Sequence, residues 1–182
     1  MRIVLAACAA VVLLWSAPRA QEPAKPAPLP PSTVFVLRHA EKDAQGDARD
    51  PGLSDKGAAR ARALARLLAP AHPGHLFASE FQRAQRTLAP LAEALGAKVE
   101  SHPAQDMAGL ARALRALPPG SVSVVAGHSN TVPALVEALG GHLERLEKGM
   151  LSETSFERLF VVTLPPPGSA AATSVVELAY GD

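Results

Sequence analysis

Short β-branched segments alternate with helical segments along most of this chain, and this alternation is the strongest constraint on its fold. The pattern predicts strands at 33–37, 75–78, 98–101, 122–126, 158–164 and 174–179. It predicts helices at 54–69, 79–95, 106–117 and 131–139. Strands that alternate with helices usually form a parallel sheet covered on both faces. We therefore expect a three-layer α/β/α sandwich with a mostly parallel central sheet, allowing for one antiparallel edge.

The N-terminal residues have the features of a targeting segment. Arg2 precedes an apolar run of thirteen residues, Ile3 to Trp15, and small residues follow it up to Ala20. A membrane-spanning helix needs about 20 apolar residues, so the pattern favours a secretory signal peptide over residues 1–20. Export to the periplasm is the expected consequence.

Cys8 is the only cysteine and lies in a Leu-Ala-Ala-Cys sequence that resembles a lipoprotein cleavage box. Most of the apolar run follows Cys8 rather than preceding it, which disfavours lipid anchoring there. Residues 21–31 contain five prolines, a composition typical of an extended tether. We expect the folded domain to cover residues 32–182.

The overall charge and the aromatic content exclude nucleic-acid binding as an expected function. The formal net charge is +1, and aromatic residues make up 4% of the chain. Nucleic-acid-binding domains usually present a clearly basic face or aromatic stacking platforms. We expect a small molecule as the partner instead.

Unusual polar residues follow three of the predicted strands. Arg38-His39-Ala40-Glu41 follows the first, residues 79–87 follow the second, and Gly127-His128-Ser129-Asn130-Thr131 follows the fourth. The carboxyl ends of parallel strands meet at one edge of a sheet, so these segments can converge. Guanidinium groups and helix N-termini bind phosphate there, and a neutral imidazole can attack phosphorus. A second, protonated imidazole can stabilise charge on the phosphoryl oxygens.

In this order, the motifs resemble the phosphoglycerate mutase-like histidine phosphatase superfamily. The resemblance spans roughly residues 33–139 and rests on four segments: Arg38-His39-Ala40-Glu41, Leu53-Ser54-Asp55-Lys56-Gly57, residues 79–87 and Gly127-His128-Ser129. It implies that His39 is the phosphorylated nucleophile and that Arg38, Arg83 and His128 form the phosphate pocket. It also implies that neither a metal nor another cofactor is required.

The chain is similar to the compact branch of that superfamily. Mutases carry a long insertion with an acidic glutamate before the second histidine motif, whereas only a short stretch, residues 99–119, lies there in this sequence. The signal peptide and the Arg-His-Ala-Glu start resemble the exported phosphatase that acts on lipopolysaccharide heptose phosphate. Without the insertion, three carboxyl groups are candidates for the proton donor: Asp106 first, with Glu41 and Glu80 as alternatives.

Secondary roles follow from position along the predicted elements. Ser54 and Ser79 are expected to cap helices, with Gln82 completing a capping box at the second, and Pro90 is expected to kink or break that helix. Asn130 either caps the next helix or contacts phosphate. Specificity is expected to reside in the loops at 42–52, 102–109 and 141–155.

Two other functions fit parts of the pattern. A non-catalytic protein that binds phosphate or a phosphosugar would need the same pocket. A serine hydrolase using Ser129 is suggested by Gly127-His128-Ser129-Asn130-Thr131, which almost matches the Gly-x-Ser-x-Gly nucleophile elbow. The β-branched Thr131 fits that sharp turn poorly, and the hydrolase would leave Arg38 and His39 without a role.

Overall fold

The computed structural model describes residues 27–181, which contain one six-stranded sheet and four α-helices. The strands are β1 (Ser32–Arg38), β2 (His75–Ala78), β3 (Val99–Ser101), β4 (Val122–Gly127), β5 (Arg158–Leu164) and β6 (Ser174–Ala179). The helices are α1 (Asp55–Leu68), α2 (Gln82–Leu95), α3 (Met107–Ala116) and α4 (Thr131–Ala138), and a short 3₁₀ turn, Ala69–Ala71, follows α1.

The strand order is β3-β2-β4-β1-β5-β6. The first four strands in that order are parallel to one another, whereas β5 is antiparallel to both β1 and β6. The predicted fold class, a mostly parallel α/β sheet, is confirmed. The antiparallel strand, β5, was expected at the edge of the sheet. It lies one strand inside that edge, because β6 pairs with its other side.

Two apolar cores lie on opposite faces of the sheet and make the molecule three-layered. In β1, Val34 and Val36 pack with α3 and α4, whereas Phe35 and Leu37 pack with α1 and α2. Successive side chains of a strand point to opposite faces, so an uninterrupted apolar strand is what a sheet covered on both sides requires. The carboxyl ends of β1, β2 and β4 therefore lie side by side at one edge, uncovered by either layer.

The start of α1 is tied to the loop that follows β1. Ser54 caps the helix by accepting a hydrogen bond from the Gly57 amide at 3.1 Å, as predicted. The Ser54 amide and hydroxyl donate to the Glu41 carbonyl at 3.0 and 3.3 Å. A Cβ on Gly57 would collide with that same carbonyl, so only glycine allows the close approach. The helix thereby holds the backbone two residues beyond His39.

Two expectations about α2 are wrong. The helix begins at Gln82, not at Ser79, and the Gln82 amide donates to the Asp50 carboxylate at 3.0 Å. The capping group thus comes from a distant loop rather than from a local capping box. The helix also continues through Pro90 to Leu95, so the expected break is absent, while a kink at Pro90 stays a prediction.

The signal peptide (residues 1–20), Cys8 and most of the tether (residues 21–26) lie outside the described residues. Residues 27–31 of the tether are exposed and precede β1. Within 27–181, no helix combines the length and the apolar character needed to cross a bilayer.

Candidate active site

A cavity of about 420 Å³ opens where β1, β2 and β4 end. The segments after these three strands contribute most of its lining. Ala104 and Gln105, which follow β3, and Glu153, from the loop between α4 and β5, complete it. The structure thus brings Arg38, His39, Arg83, His128 and Asn130 into one cavity, as expected from the motif positions.

The two motif histidines form the floor of this cavity. His39 is 4% exposed and His128 is 8% exposed, and their ring centroids are 5.2 Å apart with a 64° angle between the ring planes. Nδ1 of His39 lies 2.8 Å from the carbonyl oxygen of Ala40. A carbonyl only accepts, so Nδ1 carries the proton and donates it in this bond. Nε2 of the neutral ring is therefore left with its lone pair.

Both imidazoles are neutral at neutral pH in the unliganded protein. Burial lowers the pKa of His39 to about 3, even though the hydrogen bond to Ala40 acts in the opposite direction. Burial and the positive charge of Arg83 lower the pKa of His128 to about 4, while the Glu80 carboxylate opposes this shift. A neutral His39 is the form that can act as a nucleophile.

His128 is oriented from both sides of its ring. Nη2 of Arg83 lies 3.4 Å from Nδ1, and a guanidinium only donates, so Nδ1 accepts. The remaining proton of the neutral ring is then on Nε2, which donates to the Ser79 hydroxyl at 2.7 Å. Ser79 therefore orients His128 instead of capping α2, which corrects the sequence-based expectation.

Two arginines supply the positive charge of the cavity. Arg38 is 5% exposed, with Nη1 donating to the Ser152 carbonyl at 2.8 Å and Nη2 to the Glu153 carboxylate at 2.7 Å. Arg83 extends from the first turn of α2, and its guanidinium carbon lies 4.5 Å from the centroid of the Phe81 ring. Paired guanidinium groups beside buried imidazoles form a site suited to a phosphate dianion.

The three carboxyl groups considered as proton donors have different environments. Asp106 caps α3 by accepting from the Gly109 amide at 2.7 Å and does not line the cavity. Glu41 forms an ion pair with Arg60, Nη2 to Oε1 at 2.9 Å, and is likewise absent from the lining. Glu80 does line the cavity. The first choice, Asp106, is therefore corrected: its side chain serves helix capping.

Asn130 and Ser129 lie at the start of α4. Asn130 precedes the helix and lines the cavity, but its side chain makes no capping hydrogen bond. The hydroxyl of Ser129 donates to the Glu153 carboxylate at 2.8 Å. The adjacent His128 ring bonds to Ser79 instead, so Ser129 lacks the histidine base that a serine nucleophile requires.

Sequence reasoning assigned no role to two charged residues of the lining, Lys42 and Glu153, although it placed residues 151–155 at the border of the pocket. Both lie in loops that were expected to determine specificity, but no motif distinguished them from other loop residues. Among residues 27–181, no group of three or more His, Cys, Asp or Glu side chains is arranged to hold a metal ion.

Comparison with known proteins places this geometry in context. The family model of the histidine phosphatase superfamily (branch 1) matches residues 34–107. A search of curated protein sequences found no match.

Several solved structures share the fold. The protein histidine phosphatase SixA, solved with tungstate, superposes with a TM-score of 0.63 at 21% identity, over 81% of this chain and 96% of that chain. A mycobacterial glucosyl-3-phosphoglycerate phosphatase gives a TM-score of 0.54 at 18% identity, over 72% of this chain and 89% of the other. YhfR of Bacillus stearothermophilus gives a TM-score of 0.60 at 11% identity, over 80% of this chain and 95% of the other.

The fold, the family match over residues 34–107 and the cavity lined by arginine and histidine together define a phosphatase. The family match covers residues 34–107, which include Arg38, His39 and Arg83 but not His128.

Proposed function

We propose that this protein hydrolyses phosphomonoesters through a phosphohistidine intermediate on His39, without a metal ion. The observation that carries the proposal is the state of the His39 ring. Its Nδ1 proton is held by the Ala40 carbonyl, and its Nε2 lone pair is available in a cavity that also contains Arg38 and Arg83. The guanidinium groups supply the charge neutralisation that a metal provides in other phosphatases.

The first step transfers the phosphoryl group to the protein. The lone pair on Nε2 of His39 forms a bond to phosphorus as the bond from phosphorus to the ester oxygen breaks. The leaving oxygen takes a proton from a carboxylic acid and departs as an alcohol. Arg38 and Arg83 stabilise the charge on the three equatorial oxygens, since both guanidinium groups line the cavity.

The second step returns the protein to its starting state. Water attacks phosphorus, gives a proton to the carboxylate formed in the first step, and the bond from phosphorus to Nε2 breaks. Inorganic phosphate leaves, and the His39 ring is again neutral. The bond from Nδ1 to Ala40 keeps the ring orientation through both steps.

His128 changes its charge when substrate binds. Its pKa is lowered to about 4 by burial and by Arg83, so the ring is neutral in the empty cavity. A phosphate dianion brings negative charge beside this ring and raises its pKa, which favours the imidazolium. Protonation then occurs on Nδ1, because Nε2 already donates to Ser79, and the Arg83 N–H that Nδ1 accepts in the empty cavity donates to the phosphate instead.

Glu80 is the proposed proton donor. Of the three carboxyl groups considered from the sequence, it alone lines the cavity, and its Oε2 accepts from the Ala104 amide at 2.8 Å. Glu153 also lines the cavity, but the hydrogen bond from Ser129 and the charge of Arg38 hold the pKa of Glu153 below its usual range. A carboxylate held in the ionised form is a poor acid.

The phosphoenzyme can be detected directly. Wild-type protein incubated with a ³²P-labelled phosphomonoester in EDTA and quenched rapidly should retain label that is stable in alkali and lost in acid, because phosphohistidine has that stability. Turnover of p-nitrophenyl phosphate should continue in EDTA. A non-catalytic phosphate-binding protein would show neither label nor turnover, and loss of turnover in EDTA would contradict the metal-independent scheme. A serine hydrolase would instead react with a fluorophosphonate at Ser129.

Glu80→Gln should slow hydrolysis of substrates with poor leaving groups. We expect kcat for an alkyl phosphate to fall about a hundredfold, whereas turnover of p-nitrophenyl phosphate should change little, since p-nitrophenolate leaves without a proton. Gln keeps an acceptor for the Ala104 amide. Asp106→Asn is the matched control, because Asn also caps α3 and should leave the leaving-group dependence unchanged. If Asp106→Asn slowed hydrolysis of the alkyl phosphate and Glu80→Gln did not, Asp106 would be the proton donor instead.

The cellular location is part of the proposal. The basic residue, apolar run and small residues at the N-terminus support export to the periplasm. A phosphatase there would act on small phosphorylated substrates outside the cytoplasm. The resemblance to the exported lipopolysaccharide heptose phosphate phosphatase supports the same location.

A further inference from the structure

Glu153 lies at the mouth of the cavity and contacts a residue buried inside it. Its side chain is 72% exposed, yet one carboxylate oxygen lies 2.7 Å from Nη2 of the buried Arg38. The other oxygen accepts from the Ser129 hydroxyl at 2.8 Å. A negative charge is therefore placed at the entrance, in contact with a guanidinium that the phosphate must use.

The backbone around Glu153 is held in place independently of this side chain. The Leu151 amide donates to the Ser129 carbonyl at 2.8 Å, and the Leu151 side chain is 2% exposed. The carbonyl of Ser152 accepts from Nη1 of Arg38 at 2.8 Å. Even when a bound phosphate displaces the carboxylate from Arg38, residue 153 remains beside the phosphate and within reach of the rest of the substrate.

Glu153 is distinguished from the other exposed charged residues of the lining, Lys42 and Glu80, by its contact with Arg38. Its carboxylate forms a salt bridge with Arg38, and no such pair joins Lys42 or Glu80 to either arginine of the cavity. Arg38 and Arg83 are committed to the phosphate. Glu153 is therefore the charged group that the part of a substrate next to the Arg38 side of the phosphate meets.

We propose that Glu153 is a specificity-determining residue that favours phosphomonoesters with a neutral, hydroxyl-bearing leaving group over those with a second anionic group near the phosphate. This inference rests on the proposed phosphatase function of the cavity. A hydroxyl can donate a hydrogen bond to the carboxylate, whereas a second carboxylate or phosphate is repelled by it. Asn130 and Gln105, exposed side-chain amides in the same lining, offer further polar contacts to hydroxyl groups.

Two three-carbon phosphates provide a matched test. Glycerol 3-phosphate and 3-phosphoglycerate differ at one end, where a neutral hydroxymethyl group replaces a carboxylate. Their inhibition constants are measured against turnover of p-nitrophenyl phosphate, so neither needs to be a good substrate. Wild-type protein should bind glycerol 3-phosphate more tightly. Glu153→Gln should improve binding of 3-phosphoglycerate relative to glycerol 3-phosphate by about tenfold, because one like-charge contact is removed.

The controls separate this inference from the proposed function. Gln keeps the size of the side chain and an acceptor for Ser129. Glu144→Gln removes an exposed carboxylate of the same loop, which does not line the cavity, and should not alter the ratio of inhibition constants. A wild-type ratio near one, or a ratio unchanged in Glu153→Gln, overturns the assignment while p-nitrophenyl phosphate turnover still supports a phosphatase. Failure of turnover itself would reject the proposed function.

Discussion

His39→Asn should abolish both steady-state turnover and the acid-labile phosphoenzyme. We expect turnover to fall by about 10⁴-fold or more, because the variant has no lone pair on a ring nitrogen to attack phosphorus. The amide of Asn can still donate a hydrogen bond, as Nδ1 of His39 does to the Ala40 carbonyl. The readouts are phosphate release and the ³²P label after a rapid quench.

The control for this variant is His142→Asn, in which an imidazole with 80% side-chain exposure is replaced. It should keep both turnover and label. Circular dichroism and the urea midpoint should show that His39→Asn is folded. Undiminished labelling of folded His39→Asn would show that another residue receives the phosphoryl group, and the mechanism proposed here would then be wrong.

Arg83→Ala should lower kcat/KM by about a thousandfold. The guanidinium of Arg83 contributes charge to the phosphate site and donates to Nδ1 of His128, so its loss affects both substrate and histidine. Steady-state kinetics with p-nitrophenyl phosphate measure the effect. Because burial in the unliganded cavity lowers the pKa of Arg83, the folded protein should tolerate removal of this charge.

Arg86→Ala is the matched control for Arg83→Ala. Both residues lie on α2, but Arg86 is exposed, donates to Gln82 one turn earlier at 2.7 Å and does not line the cavity. Its substitution should leave kcat/KM within about twofold, as expected for a surface position. Similar losses in the two variants would indicate a general effect of positive charge on α2 rather than a phosphate contact by Arg83.

Glu41 illustrates how a motif residue can serve the site without lining it. Its carboxylate forms a salt bridge with Arg60, whose Nη1 also donates to the Tyr180 and Gly181 carbonyls at 2.9 Å. The loop containing His39 is thereby joined to the end of β6 through one buried guanidinium. We interpret the Arg-His-Ala-Glu motif accordingly: the first two residues carry the proposed chemistry, and the last fixes the loop that presents them.

The fold class and the positions of the motifs followed from local patterns. Strands such as Val122 to Ala126 are uninterrupted apolar runs, and helices such as α1 begin at a recognisable cap, so each could be located without its partners. The order of β5 and β6 could not be obtained in this way, because strand pairing depends on residues distant in sequence.

The identity of the chemical groups was determined by the sequence itself: a parallel sheet requires that residues after β1, β2 and β4 meet, which brings His39, Arg83 and His128 together. Tertiary structure alone decided which neighbouring side chains face that meeting point. Ser79 bonds to His128, 49 residues away, and Glu153 bonds to Arg38, 115 residues away. No local pattern encodes such contacts, because they depend on how separate loops pack after the sheet has formed.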